Sequence, residues 1–290
     1  MDRSLSAAAA NPAIRAVASP SSPAPPKTPR MRIVLLAVDD EFAGEMQRFL
    51  YETHPDWIVG SVISSCAIYK RSKLGGMLYV MRTSGLVFLA EMIRMKLVRG
   101  FLDRTRRCFP SQLARTHGVE TFVSANINSE PSLAKLRSWN PDLIISTNFS
   151  HYIGRTARET IARHGCWNLH KSYLPQYRGM APSFHALLEG AGHVGATLHV
   201  VSKGFDEGAL LAQVKVPVLE EDTVYSLNQN TSEAGGRMLA QFLGSCDLKS
   251  VKTTPQPAGA WRNYTYPTRA EIKAFRKKGL KFYAPGRNGN

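Results

Sequence analysis

The amino-acid sequence predicts an α/β protein built on a doubly wound, mostly parallel sheet, with a basic helical insertion and a short C-terminal extension. Three observations lead there. Short apolar runs lack polar alternation, as strands buried on both faces do. Segments with apolar residues at helical spacing separate those runs. The first strand, helix and strand fit within about 33 residues, the size of a βαβ unit.

The elements follow in order. Ile33-Val34-Leu35-Leu36-Ala37-Val38 reads as a buried parallel strand, ended by Asp39-Asp40. Glu41 to Tyr51 carries Phe42, Met46, Phe49 and Leu50 at helical spacing. A turn at His54-Pro55-Asp56 precedes a second strand, Trp57 to Ile63. Pro131 to Trp139 predicts a helix, with Leu133, Leu136 and Trp139 on one side, stopped by Asn140-Pro141-Asp142. Leu143 to Ser146 is the next strand, Thr156 to His164 a short helix, and Gly165 to His170 a further strand. Pro182 to Glu189 is helical and ends at Gly190. Val194 to Val201 is a strand with polar breaks and Ala209 to Val218 another, before a long helix from Thr223 to Phe242.

This sets the organisation. Residues 1–30 are rich in Ala, Pro and Ser, show no hydrophobic period, and read as a disordered extension. Residues 31–250 form the catalytic domain, interrupted at about 70–107 by an insertion, and 251–290 form a C-terminal extension. The tail starts irregularly around Pro255 and Pro257 and ends in a basic helix-like run, Arg269 to Lys281.

Composition narrows the function classes. The chain has 290 residues, 43% of them hydrophobic, enough for a substantial core. Lys and Arg number 37 against 22 Asp and Glu, a formal charge of +15, which favours an anionic partner. The insertion holds ten basic residues, from Lys70 to Arg107, against Glu91 and Asp103 alone. Apolar Met77, Leu78 and Met81 lie between them, so a peripheral contact with anionic membrane is one expectation. The stretch Leu74 to Leu102 is broken by Arg82, Glu91, Arg94, Lys96 and Arg99, so a membrane-spanning helix is not expected. Cys66, Cys108, Cys166 and Cys246 form no Cys-x-x-Cys pair, which argues against a zinc site and for reduced thiols in a cytoplasmic protein. No Gly-x-Gly-x-x-Gly follows the first strand, so no dinucleotide is expected.

The chemistry is concentrated in Asn168-Leu169-His170-Lys171-Ser172-Tyr173-Leu174-Pro175-Gln176-Tyr177-Arg178-Gly179. Asn168 and His170, two apart at a strand's carboxyl end, face one side. They would project into the crevice where open α/β sheets bind ligands. Farther on, Gly204-Phe205-Asp206-Glu207-Gly208 sets a carboxylate between two glycines. Asn, His and Asp suit acyl transfer to an amine. An imidazole can shuttle the amine's proton, a carboxylate can orient it, and a carboxamide can donate to the oxyanion.

These segments, Asn168 to Gly179 and Gly204 to Leu211, resemble the folate-dependent formyltransferase family. Its motif is approximately Asn-x-His-x-Ser-x-Leu-Pro-x-Tyr-Arg-Gly with a later Asp in a Gly-rich turn, and the resemblance extends from about Met31 to Val218. It implies the family's Rossmann-like fold and places the catalytic residues on Asn168, His170 and Asp206. Lys171 departs from the pattern, standing where relatives usually carry proline. The resemblance implies 10-formyltetrahydrofolate as formyl donor, with no metal. The folate would lie against the loop Thr147 to Ile153, with Asn148, Phe149, Tyr152 and Ile153, and against Gly204 and Gly208. Lys171, Ser172, Tyr177, Arg178 and Gly179 would meet the acceptor.

The acceptor is left open. Members that act on methionyl-tRNA carry an added C-terminal barrel domain, whereas roughly seventy residues follow Val218 here, many of them in the long helix. The tail Trp261-Arg262-Asn263-Tyr264-Thr265-Tyr266-Pro267-Thr268 resembles the aromatic closing segment of sugar- and small-molecule-type members. A small anionic amine, such as a nucleotide-linked amino sugar, is therefore the expected acceptor, and nucleic acid is not. Methionyl-tRNA, hydrolysis of formyl-folate by water, and non-catalytic binding on the same fold are the alternatives. The oligomeric state is not legible.

Overall fold

The computed structural model describes residues 30–66, 71, 73–102 and 108–284. The sheet is organised around β1 (Ile33–Val38), whose residues from Ile33 to Ala37 are fully buried. Alternate side chains enter different cores: Ile33 and Leu35 on one face, Val34 and Leu36 on the other. Both faces are therefore covered, which explains the unbroken apolar run. β1 pairs in parallel with β2 (Ile58–Ser64) and β4 (Leu143–Thr147). β3 (Thr121–Ser124) adds in parallel to β2, and β5 (Cys166–His170) to β4. β7 (His193–Val200) and β8 (Leu210–Pro217) then continue antiparallel, giving the order β3-β2-β1-β4-β5-β7-β8. β6 (Arg178–Gly179) pairs separately with β9 (Asn263–Tyr264).

α1 (Glu41–Thr53) and α7 (Val224–Ser245) cover one face, placing Met46, Leu50, Leu239 and Leu243 against β1, β4 and β5. Each starts at a side-chain cap. Asp40 Oδ1 accepts from the Ala43 N–H, and Thr223 with Ser226 forms a reciprocal capping box. α3 (Pro110–Thr116) packs beside α1. α4 (Glu130–Ser138) and α5 (Arg155–Glu159) cover the opposite face through Leu133, Leu136 and Ala157. A third core joins α2 (Lys73–Leu102), α6 (Pro182–Glu189) and α8 (Arg269–Lys277) around Phe184 and Phe275.

The doubly wound, mostly parallel sheet is as expected, and three details differ. α5 stops at Glu159 rather than His164. Thr160 turns its hydroxyl back to the Thr156 carbonyl at 2.8 Å, a local bond that competes with continued helix. β3 carries only four residues on the sheet edge, half of them exposed, and so gives no apolar run. The insertion is two helical segments joined by a kink at Gly85, whose φ of +88° is non-helical. Within it, Leu74–Met95 is long and apolar enough, by length and composition alone, to cross a membrane. Arg82, Glu91 and Arg94 fall inside that stretch, Gly85 interrupts it, and Val80 and Phe88 are buried against the domain, so length and composition alone do not overturn the expectation of no spanning helix.

The tail does not stand apart as an extension. Thr254 bridges to Leu210, Tyr264 pairs with Gly179, and Ile272 and Phe275 enter the third core. The expected N-terminal extension, but for Arg30, and the basic residues Lys70, Arg104, Arg106 and Arg107 lie outside the described residues.

Candidate active site

Asn168 and His170 project from the carboxyl half of β5, in register with His199 and Thr197 of β7. Ser146 of β4 donates its hydroxyl to Asn168 Oδ1 at 2.8 Å. That bond fixes the amide, so Nδ2 points at His199 Nε2, 3.1 Å away, and at Asp206 Oδ1, 3.4 Å away. His199 Nδ1 lies 2.9 Å from the Val200 carbonyl, which can only accept. The proton of neutral His199 is therefore on Nδ1, and Nε2 accepts from Asn168.

Asp206 completes the cluster from the β7–β8 turn. Its φ is +54°, a conformation Asp tolerates better than most residues. Oδ2 accepts the Gly179 N–H at 2.8 Å and lies 3.6 Å from His170 Nδ1, while Oδ1 is 3.5 Å from His199 Nε2. The tail braces this turn: Gln256 Nε2 donates to the carbonyls of Asp206 and Gly208, each at 2.8 Å. Gln256 Oε1 accepts from Arg178 Nε and Nη2. Gly179, with φ +90°, lies so close to β9 that a Cβ would fall 2.3 Å from the Tyr264 carbonyl oxygen. Gly208 is confined in the same way, a Cβ there falling 1.7 Å from the Val200 oxygen.

Both ring nitrogens of His170 face acceptors. Nε2 donates to the Tyr177 carbonyl at 3.1 Å, which leaves Nδ1 beside Asp206. Burial lowers the His170 pKa, and the Asp206 charge and the Tyr177 carbonyl only partly oppose it. Burial also pushes the Asp206 carboxyl up, but His170, His199 and the Gly179 N–H outweigh it and hold it below the usual carboxylate range. At neutral pH the pair is a carboxylate beside a neutral imidazole. A proton arriving at Nδ1 meets its counter-charge at once.

The other expected residues sort by where their side chains point. Tyr152 and Phe205 bring their rings within 5.9 Å, edge to face, joining the two loops expected to line the cofactor pocket. Asn148 is in left-handed conformation and donates to Asp40, the cap of α1. Phe149 is half-buried against the second core and the His151 ring. Two expectations are corrected. Ile153 is buried among core residues, and Ser172 is fully buried with its hydroxyl given to the Gln176 carbonyl. Neither side chain faces the crevice; both fill the scaffold behind it. Gly204 and Gly208 serve close packing of the turn, against Glu207 and Val200. Tyr177 supplies its carbonyl to His170, and burial raises its phenol to about 12. Lys171 Nζ lies 4.6 Å from the Phe42 ring centroid; burial lowers its pKa, and Asp40 opposes the shift.

Sequence reasoning missed His199, Ser146 and Gln256. The polar breaks Thr197 and His199, two apart in an otherwise buried strand, carried a signal for the first. Gln256 carried none. A cleft of about 420 Å³ opens beside the braced turn, lined by Arg178, Glu207, Gln256 and Trp261 among others.

A mostly parallel α/β sheet with Asn, His and Asp gathered at strand carboxyl ends has the means to stabilise an oxyanion and move a proton, which are the needs of acyl transfer. The family model described as formyl transferase matches residues 95–243, and the chain belongs to that family. It is 34% identical over 173 residues to methionyl-tRNA formyltransferase of Halalkalibacterium halodurans, covering 59% of this chain and 54% of that one. The enzyme of the same name from Ehrlichia ruminantium strain Gardel is 31% identical over 135 residues, 47% of this chain and 44% of that one. The chain thus spans about half the length of the curated relatives it matches. Among solved structures, phosphoribosylglycinamide formyltransferase from Streptococcus pneumoniae TIGR4 superposes with a TM-score of 0.52 at 19% identity, covering 73% of this chain and 97% of that one. A sugar N-formyltransferase from Shewanella sp. gives 0.50 at 17%, covering 81% and 76%. At these identities the structural likeness is one of fold.

Proposed function

We propose that the protein transfers a formyl group from 10-formyltetrahydrofolate to the primary amine of a small, anionic acceptor. The observation that carries this is the cluster of Asn168, His170 and Asp206, with one Asn168 amide hydrogen and His170 Nδ1 converging on one carboxylate. The donor supplies a formyl carbon already activated by attachment to nitrogen, so no nucleophilic Ser or Cys is needed. Tyr152 and the exposed Phe205 offer an aromatic wall suited to a planar heterocycle.

Each residue then has a role. Asn168 Nδ2 exchanges its long 3.4 Å contact with Asp206 for the formyl oxygen, and that N–H donates there as negative charge develops. His170 Nδ1 accepts the proton of the attacking amine and returns it to the departing nitrogen. Asp206 stabilises the imidazolium between those two steps. Gln256 and the Gly179 N–H hold the Asp206 turn in place. The open cleft of about 420 Å³ beside Arg178 and Trp261 lies next to the braced Asp206 turn, where an acceptor would approach. Trp261 gives it an aromatic wall, and Arg178 and Glu207 give it one charge of each sign.

A second reading has its own support: the curated relatives are named methionyl-tRNA formyltransferases, which makes aminoacyl-tRNA the rival acceptor. Assay of tetrahydrofolate release with nucleotide-linked amino sugars, with other small anionic amines and with methionyl-tRNA separates the two. Turnover with a small amine and none with methionyl-tRNA supports the first reading. The reverse result, with a rate falling steeply with salt, supports the second. Equal release without any amine would identify a hydrolase instead.

A further inference from the structure

The third core leaves α2 half covered. Val80 and Phe88 turn inward, among Phe184, Ile272, Phe275 and Phe282. The opposite side of the helix carries large apolar residues in solvent: Leu74 is 64% exposed, Leu86 68% and Leu97 69%, with Leu78 and Ile93 between them. Beyond Gly85, residues Leu86, Ile93 and Leu97 fall at i, i+7 and i+11, one stripe of the helix. Exposed Arg82 and Arg94 lie along the same helix.

A second helix supplies charge beside this stripe. α8 packs on α2, with Ile272 and Phe275 inward and Arg269, Lys273 and Arg276 exposed at i, i+4 and i+7. Arg269 Nη2 reaches the Met81 carbonyl at 3.4 Å. Arg276 and Lys281 share a recess with Glu91 and Arg94. The basic row thus runs along the edge of the apolar one.

From this juxtaposition we infer that the α2–α8 face docks on an anionic lipid bilayer. Apolar side chains enter the headgroup boundary while the cations meet lipid phosphates, the arrangement of an interfacial helix. Charge complementarity selects this occupant over a second copy of the chain, because two such faces would oppose cation to cation. The geometry also selects lying on the bilayer over crossing it. Val80 and Phe88 tie the inner side of α2 to the domain, and Gly85 interrupts the helix midway. The inference stands independently of the formyl acceptor.

Sedimentation of the full chain with vesicles tests it, using phosphatidylcholine alone or mixed with phosphatidylglycerol. The protein should sediment with the anionic vesicles, remain in solution with the neutral ones, and be released by high salt. Leu86→Glu combined with Ile93→Glu and Leu97→Glu should lower the partition coefficient by about tenfold or more. Lys273→Glu with Arg276→Glu should weaken binding to anionic vesicles as well. This pair replaces exposed side chains, so it carries the test if the stripe variant fails to fold. Sedimentation with neither vesicle, or equally with both, overturns the proposal. So does a dimer in light scattering that the stripe variant converts to monomer, since the face would then join two copies. Retention on vesicles after alkaline carbonate washing would overturn it in favour of a spanning helix.

Discussion

Asn168 is held by one hydroxyl and aimed by it. Because Ser146 occupies Oδ1, the amide has only Nδ2–H left to offer, and it offers both hydrogens into the cluster. Asn168→Ala should therefore lower kcat by about 10²–10³-fold with little effect on KM, the usual cost of losing one oxyanion donor. Steady-state kinetics with a fixed acceptor checks this. His170 makes a pH prediction. Its pKa lies below the ordinary imidazole value because burial disfavours the cation. The base form is the active one, so kcat/KM should rise with pH through an inflection below the ordinary imidazole value and then level off. Asp206→Asn removes the charge that favours the imidazolium. Its acid limb should move to lower pH, and its plateau should fall. An unchanged acid limb in that variant would mean the limb belongs to another group. Asn168, His170 and Asp206 were legible because they lie in two short motifs. His199 was hidden as a polar break in a buried strand, and Gln256 lies fifty residues along the chain from the turn it braces.

At the scale of elements, the tail is what the sequence disguised. Residues beyond 251 read as an irregular extension because bracing contacts need no periodicity. Yet Gln256 ties down the Asp206 turn, and β9 pairs with the very residues that carry the Gly179 N–H. Gln256→Ala should leave the sheet intact and lower kcat, because it frees two carbonyls and the Arg178 guanidinium together. Loss of such bonds costs about 0.5–1.5 kcal/mol each. Thermal unfolding and kcat measured on the same variant should show Tm lowered by a few degrees with the fold intact, and a fall in rate at temperatures where the variant stays folded. Gly179→Ala should be more severe, since its Cβ would collide with β9 backbone and displace the donor to Asp206. The core elements were legible for the opposite reason. β1, β4 and β5 are covered on both faces, and such strands betray themselves as apolar runs. Edge strand β3, four residues long and half exposed, leaves no such trace.

Across the whole molecule, buried histidines couple stability to pH. His151, His170 and His185 all have pKa values lowered by burial. In the unfolded chain each would take up a proton near pH 6.5. Between that value and the lower folded pKa the unfolded state binds more protons, so stability falls as pH falls through this window. Tm should be flat above about pH 7.5 and decline toward pH 5. Asp206 does not contribute there, because its carboxyl stays ionised in both states above about pH 5. The central claim is formyl transfer at this cluster. The most direct measurement follows an isotope-labelled formyl group from 10-formyltetrahydrofolate by mass spectrometry, with the acceptor amine present, for the wild-type protein and for His170→Ala. The account predicts labelled N-formyl product equal to the tetrahydrofolate released by the wild type, and loss of both in the folded variant. Labelled formate in place of N-formyl product, or an undiminished rate in His170→Ala, would contradict it.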